Sequence, residues 1–397
     1  MKFHFLIWVV LLFSCSVSSH QEITSVPQKT LENQSPIITL ATSEPMRLSV
    51  EQVKVEQVIE LVKVEPVIEP AKNEPISIIG VGDIMLGTNY PSSKSPNYLP
   101  VNKGKNLLKK VNHILRNADL TFGNLEGTIL NKGATIKNCK ICYAFRMPEY
   151  LVDNLITAGF DVVSIANNHV RDFGKKGIDN TMRVLEENNI YAAGIKDKLE
   201  SVTFKKNGVK YGFAAFAPNI GTVDITDIPY AQKIVRRLAK TSDIIIISFH
   251  GGAEGRSYQH VPRKTEYIYG ENRGNVHKFS HAVIDAGADI VFGHGPHVTR
   301  AVEVYKDRFI AYSLGNFCTY GRFNVRGATG IAPIIKVNVN KEGEFQNAQI
   351  TPIVQIRYKD VRIDKKKRAI KSIRKLTRKD GFHHNISISK NGLITQK

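Results

Sequence analysis

Asp161-Val162-Val163-Ser164-Ile165-Ala166-Asn167-Asn168-His169 is an apolar, largely β-branched run that stops abruptly on two amides and an imidazole. Short apolar runs of about four to eight residues with such endings read as strands buried on both faces, as in parallel sheets. The pattern recurs. Ile76-Ser77-Ile78-Ile79-Gly80-Val81 runs into Gly82-Asp83, and Asp119-Leu120-Thr121-Phe122 into Gly123-Asn124-Leu125-Glu126. Asp243 to Phe249 meets His250, Asp289 to Phe292 meets Gly293-His294-Gly295-Pro296-His297, and Phe309 to Tyr312 meets Ser313-Leu314-Gly315-Asn316. Between these runs, residues 106–116, 148–158, 177–188, 231–240 and 275–286 carry the apolar spacing of amphipathic helices. The alternation predicts an α/β fold with helices covering the sheets.

The carboxyl ends of strands in such folds line the crevice where ligands bind, so residues as distant in sequence as Asp83 and Asn316 are expected to converge. Several His with carboxylates and an amide form a mixed nitrogen and oxygen donor set. Such a set suits Zn, Mn or Fe and is poor for Ca or Mg alone. His294 and His297 are the firmest pair, because a His-x-x-His turn framed by Gly293, Gly295 and Pro296 has no packing use for two imidazoles. The Gly80-x-Gly82 turn lacks the third glycine and the later acidic residue of a dinucleotide fingerprint. His260, His277 and His281 lie off the strand ends and read as ordinary helix or loop residues.

Gly82-Asp83-Ile84-Met85-Leu86-Gly87, Asn124-Leu125-Glu126-Gly127, Ala166-Asn167-Asn168-His169, His250-Gly251-Gly252-Ala253-Glu254, Gly293-His294-Gly295-Pro296-His297 and Tyr312-Ser313-Leu314-Gly315-Asn316-Phe317 follow one another in order. Over residues 76–335 the chain thus resembles the capsule-synthesis (CapA) family of poly-gamma-glutamate synthesis proteins, a branch of the calcineurin-like metallophosphoesterases. The resemblance implies a four-layer α/β/β/α sandwich with a centre of two divalent ions, Mn, Fe or Zn. Asp83, Glu126, Asn168, His250, His294 and His297 would hold them. It casts His169 as the group that meets substrate or moves a proton. Asp172 either orients that imidazole or caps the next helix. Glu126 is either the bridging carboxylate or a loop-fixing one, and His250 either a ligand or a buried structural residue. Asn124, Glu254 and Asn316 are expected near substrate. Position 85, where related phosphoesterases carry a ligand His, is Met here.

The chain has 397 residues; 42% are hydrophobic and 23% charged, which excludes disorder throughout. Residues 1–15 read as a signal segment, with an apolar run too short to span a bilayer and ending at Cys15, the expected lipidation site. Cleaved soluble export and a retained anchor are the alternatives. Residues 16–75 lack aromatics and repeat Val53-Lys54-Val55-Glu56 as Val62-Lys63-Val64-Glu65, a low-complexity, disordered tether. A catalytic body over 76–355 and a basic C-terminal extension over 356–397 complete the expected organisation. Cys139 and Cys142 form a loop disulfide, a zinc half-site or free thiols.

The net charge of +19 is uneven: residues 357–379 hold twelve Lys or Arg against two Asp. Such a block attracts polyanions, or is simply a solvated face. For an exported protein, an anionic envelope polymer or a phosphoester is the expected substrate and nucleic acid is not. Lipid anchoring to a membrane on its non-cytoplasmic side and partners in polymer synthesis or export complete these expectations. The choice between a metal-dependent hydrolase and a non-catalytic polyanion-binding component stays open, leaning to the hydrolase.

Overall fold

The computed structural model describes residues 74–91, 98–137 and 143–397. Cys15, the Cys139/Cys142 loop and nearly all of the expected tether lie outside them. Ile76–Met85 runs through the middle of a ten-stranded sheet. Leu120–Leu125, Val162–Ser164 and Tyr191–Ala193 extend that sheet in parallel on one side. On the other side Ile331–Val339 and Phe345–Val354 continue it antiparallel. The second sheet has six strands, with Val209–Phe216, Ile244–His250, Ile290–His294 and Arg308–Ala311 adjacent and parallel.

The two sheets face each other across an apolar interior. Phe122 of the first stacks on Phe292 of the second, with centroids 5.4 Å apart and ring planes 5° from parallel. Gly80 makes that approach possible: a Cβ there would lie 2.5 Å from the Phe292 ring. The outer face of the first sheet packs against Leu151, Leu155, Ile178 and Val184 of the helical segments. The outer face of the second packs against Ile234 and Leu238 of helix Ile228–Ala239 and Phe279 and Val283 of helix Val276–Asp285. Helix, sheet, sheet, helix is the order of layers, matching the expected sandwich.

The first two helical expectations shorten in the structure. Within 106–116 only Asn112–Leu115 is α-helical, and 148–158 is a 3-10 turn leading into Asp153–Ala158, closed by the left-handed Gly159. The basic stretch near the C-terminus is woven into the body rather than trailing from it. Leu393–Gln396 pairs with Phe345–Val354, and helix Arg368–Lys379 buries Ile370, Ile373 and Leu376. Among the described residues no helix is long and apolar enough to cross a membrane.

Candidate metal centre

Register explains why the strand ends converge. Asp83 lies opposite Asn124 on one neighbouring strand and Asn316 on the other, while His294 lies opposite His250 in the second sheet. Gly82 lets the chains close up: Asp83 N–H donates to Gly315 O at 2.8 Å, and a Cβ on Gly82 would sit 1.8 Å from that oxygen. The carboxylates of Asp83 and Glu126 and the imidazoles of His250 and His294 are thereby brought together with no solvent exposure. Asp83, Glu126 and His250 each present a ligand atom within 4.8 Å of the others. His294 Nδ1 is 3.3 Å from Asp83 Oδ1.

The hydrogen-bond inventory of these groups is unusual. Both oxygens of Glu126, both nitrogens of His250 and of His294, and Asn168 Oδ1 are buried atoms without a hydrogen-bond partner. Orphaned polar atoms at that density are costly unless something else satisfies them. Two carboxylates and an imidazole with ligand atoms within 4.8 Å of one another, and a second imidazole against Asp83, fit a borderline divalent cation.

Electrostatics follow from burial and crowding. Burial works to raise the Asp83 carboxyl, but the His294 and His297 imidazoles beside it outweigh burial and hold Asp83 below the ordinary carboxylate range. Burial pushes Glu126 up to about 8, with Asp83 and Glu254 adding repulsion and His297 opposing. Burial also works to lower His297, yet Glu126 and Asp83 carry it up to about 10. His250 is held well below its ordinary value by burial, with Arg273 adding to the effect, so its ring is neutral and free to ligate.

His297 is arranged differently from His294. Its backbone takes a left-handed φ of 56°, its Nδ1 lies 2.9 Å from Asp83 Oδ2, and its Nε2 points to Glu126 at 3.6 Å and Glu254 at 3.5 Å. Glu254 stands at the wall of the crevice. Asn124 does not: it is fully buried, donates from Nδ2 to Asp83 Oδ1 at 2.9 Å and accepts from Asn167 Nδ2 at 3.3 Å. It positions a carboxylate instead of meeting substrate. Asn316 is likewise buried, with Nδ2 donating to Thr329 O at 3.0 Å.

His169 closes the crevice from the first sheet, its Nε2 4.0 Å from Glu126 Oε1. Asp172 Oδ2 sits 2.9 Å from His169 Nδ1 and also accepts from Phe145 N–H at 2.7 Å. The helix that follows, Gly174–Glu187, has no side-chain cap, so Asp172 serves the imidazole and not the helix. Lys137 pairs with Asp172 Oδ1 at 2.5 Å. Burial holds His169 below the ordinary imidazole value although Asp172 pulls the other way. A neutral ring donating Nδ1–H to Asp172 leaves Nε2 as a proton acceptor facing the crevice.

The crevice has a volume of about 1340 Å³ and is rimmed by cations: Lys137, Arg322, Arg326, Arg357 and Arg368 all line it. The last two belong to the basic stretch, which therefore reaches the site. Arg273 is a further buried cation acting on Glu126 and His250, with Nε and Nη2 unpartnered. Neither Arg273, just past the two-residue strand Glu271–Asn272, nor Lys137 follows an apolar run or a periodic pattern, so no sequence signal marks them.

Residues 77–320 match the family model described as bacterial capsule synthesis protein PGA_cap. The chain is 29% identical over 262 residues to the capsule biosynthesis protein CapA of Bacillus anthracis, covering 60% of this chain and 58% of that one. It is 28% identical over 254 residues to the PGA biosynthesis protein CapA of Bacillus subtilis, covering 60% and 61%. The chain thus spans about three fifths of the length of these curated relatives. Among solved structures it is similar to the calcineurin-like phosphoesterase YfkN from Bacillus subtilis, with a TM-score of 0.41 and 12% identity over 78% of this chain and 97% of that one. The family match takes in every strand-end residue from Asp83 to Asn316 and more than half of the sequence, and the chain belongs to the bacterial capsule synthesis protein family.

Proposed function

We propose that this chain is a metal-dependent hydrolase of the cell envelope that cleaves a phosphoester or amide in the synthesis, export or attachment of an anionic surface polymer such as poly-gamma-glutamate. The observation that carries the reading is the set of orphaned buried ligand atoms on Glu126, His250, His294 and Asn168, with Glu126 lying behind His169 and His297, which line a cation-rimmed crevice. In this proposal Asp83, Glu126, Asn168, His250, His294 and His297 hold two divalent ions. Such ions, when bound, polarise the scissile oxygen and lower the pKa of a coordinated water.

The residues of the chain do the remaining work. Asn124 fixes the rotamer of Asp83, and Asp172 fixes the tautomer of His169, whose Nε2 takes a proton at the mouth of the site. Arg322, Arg326, Arg357 and Arg368 attract and orient a polyanion by charge. Lipidation at Cys15, with residues 16–75 as spacer, would place the crevice at the outer side of a membrane where such a polymer is handled.

One observation favours a second reading, a non-catalytic polyanion-binding component. Met85 is wholly buried in the hydrophobic core, so position 85 offers no ligand. The two readings separate on one assay with an aryl phosphate and added Mn2+. Turnover that stops with chelator and falls in His169→Gln supports the hydrolase. Salt-sensitive retention of poly-gamma-glutamate without turnover, unaffected by chelation, would establish the binder instead.

A further inference from the structure

We propose that His277, His281 and Glu303 form a second metal site, distinct from the crevice, that takes one zinc ion and clamps helix Val276–Asp285 to strand Val302–Tyr305. His277 and His281 are four residues apart on the helix, so both imidazoles project from one face, the spacing by which a helix supplies two ligands to one zinc. Glu303 meets them from the neighbouring strand. One ligand atom from each of the three lies within 4.8 Å of the others. None of the three lines the crevice.

The surroundings orient the donors as the second shell of a metal site does. Tyr312 donates its hydroxyl to Glu303 Oε2 at 2.5 Å, fixing the carboxylate. His281 stacks on Tyr305 with ring centroids 3.7 Å apart, and His277 lies nearly parallel to Tyr312 and Phe382. His281 Nε2 is 3.1 Å from Glu303 Oε2, so the imidazole already faces the carboxylate with the nitrogen that would ligate. All three side chains are partly exposed, which gives an ion a route in. Burial, with His281 adding repulsion, takes His277 down to about 4. The opposing cation is Arg263, whose guanidinium rests on the Phe382 ring. Glu303 offsets it. Two imidazoles and one carboxylate leave a fourth tetrahedral position for water.

A simple ion pair between His281 and Glu303 is the competing explanation, and metal counting decides between them. The full-length chain is loaded with zinc, desalted and assayed by elemental analysis as wild type and as His281→Gln and Glu303→Gln, with circular dichroism confirming the fold. Both variants should carry one zinc equivalent less than wild type. Unchanged zinc in both would overturn the site. A crevice variant, His250→Ala/His294→Ala, isolates the site from the other centre: it should keep one zinc that the added His281→Gln removes. If that crevice variant folds and holds no zinc, or keeps its zinc when His281 is replaced, the second site does not exist.

Discussion

Replacing Arg300 with Met should destabilise the protein by roughly 3–5 kcal/mol, because it leaves a carboxylate buried and unpaired. Arg300 is fully buried and grips Glu266 with two bonds, Nη1 to Oε2 at 2.8 Å and Nη2 to Oε1 at 2.7 Å. The same guanidinium donates to Ala253 O at 3.1 Å and Tyr258 O at 2.8 Å. Without it, Glu266 keeps only the Ala253 N–H, at 3.1 Å. The pair fixes the turn over residues 251–254 that follows His250 and carries Glu254, so the loss should also loosen the crevice. The assay is urea unfolding followed by circular dichroism for Arg300→Met, Glu266→Leu and the double variant. The double variant should be more stable than Arg300→Met alone, since an apolar pair of similar volume replaces the buried ions at little net cost. A loss below about 1 kcal/mol for Arg300→Met, or a double variant that loses the sum of the singles, would refute the reasoning.

Three further outcomes follow from the same geometry. In the metal-free chain burial holds the Glu126 proton to about pH 8, so metal uptake at neutral pH must expel it. Affinity should then rise with pH by up to about tenfold per unit per proton, through the Glu126 step near 8 and on towards the His297 step near 10; calorimetry in buffers of different ionisation enthalpy measures the released protons, and pH-independent affinity would contradict the assignment. Asp172→Asn removes the charge that raises His169, so the acid limb of the pH–activity profile should move to lower pH, with activity down about 10–100-fold. An unmoved limb would separate the two residues. Gly80→Val forces atoms into the Phe292 ring and should cost about 1–3 kcal/mol or more in thermal or urea unfolding, whereas an unchanged midpoint would mean that the sheets have slack at that point.

The site was legible because apolar runs that stop on polar residues are visible without knowing the fold. Asp83, Glu126, His250 and His294 are each at or just beyond the end of such a run, and parallel pairing brings those ends together. Side-chain direction was not legible. Asn124 was expected at substrate, but lying opposite Asp83 in the ladder it turns its amide onto that carboxylate. Helix Arg368–Lys379 was hidden by its own charge. Its Lys and Arg dominate composition, while Ile370, Ile373 and Leu376 recur at helical spacing and bury. Arg273 and Lys137 reach the centre from irregular segments, where no periodicity says which way a side chain points.

Anomalous diffraction from crystals of the chain grown with Mn2+ tests the central claim most directly. Two peaks are expected where Asp83, Glu126, His250 and His294 converge, with Asn168 and His297 as further ligands. A folded chain with no anomalous density at that position would contradict it.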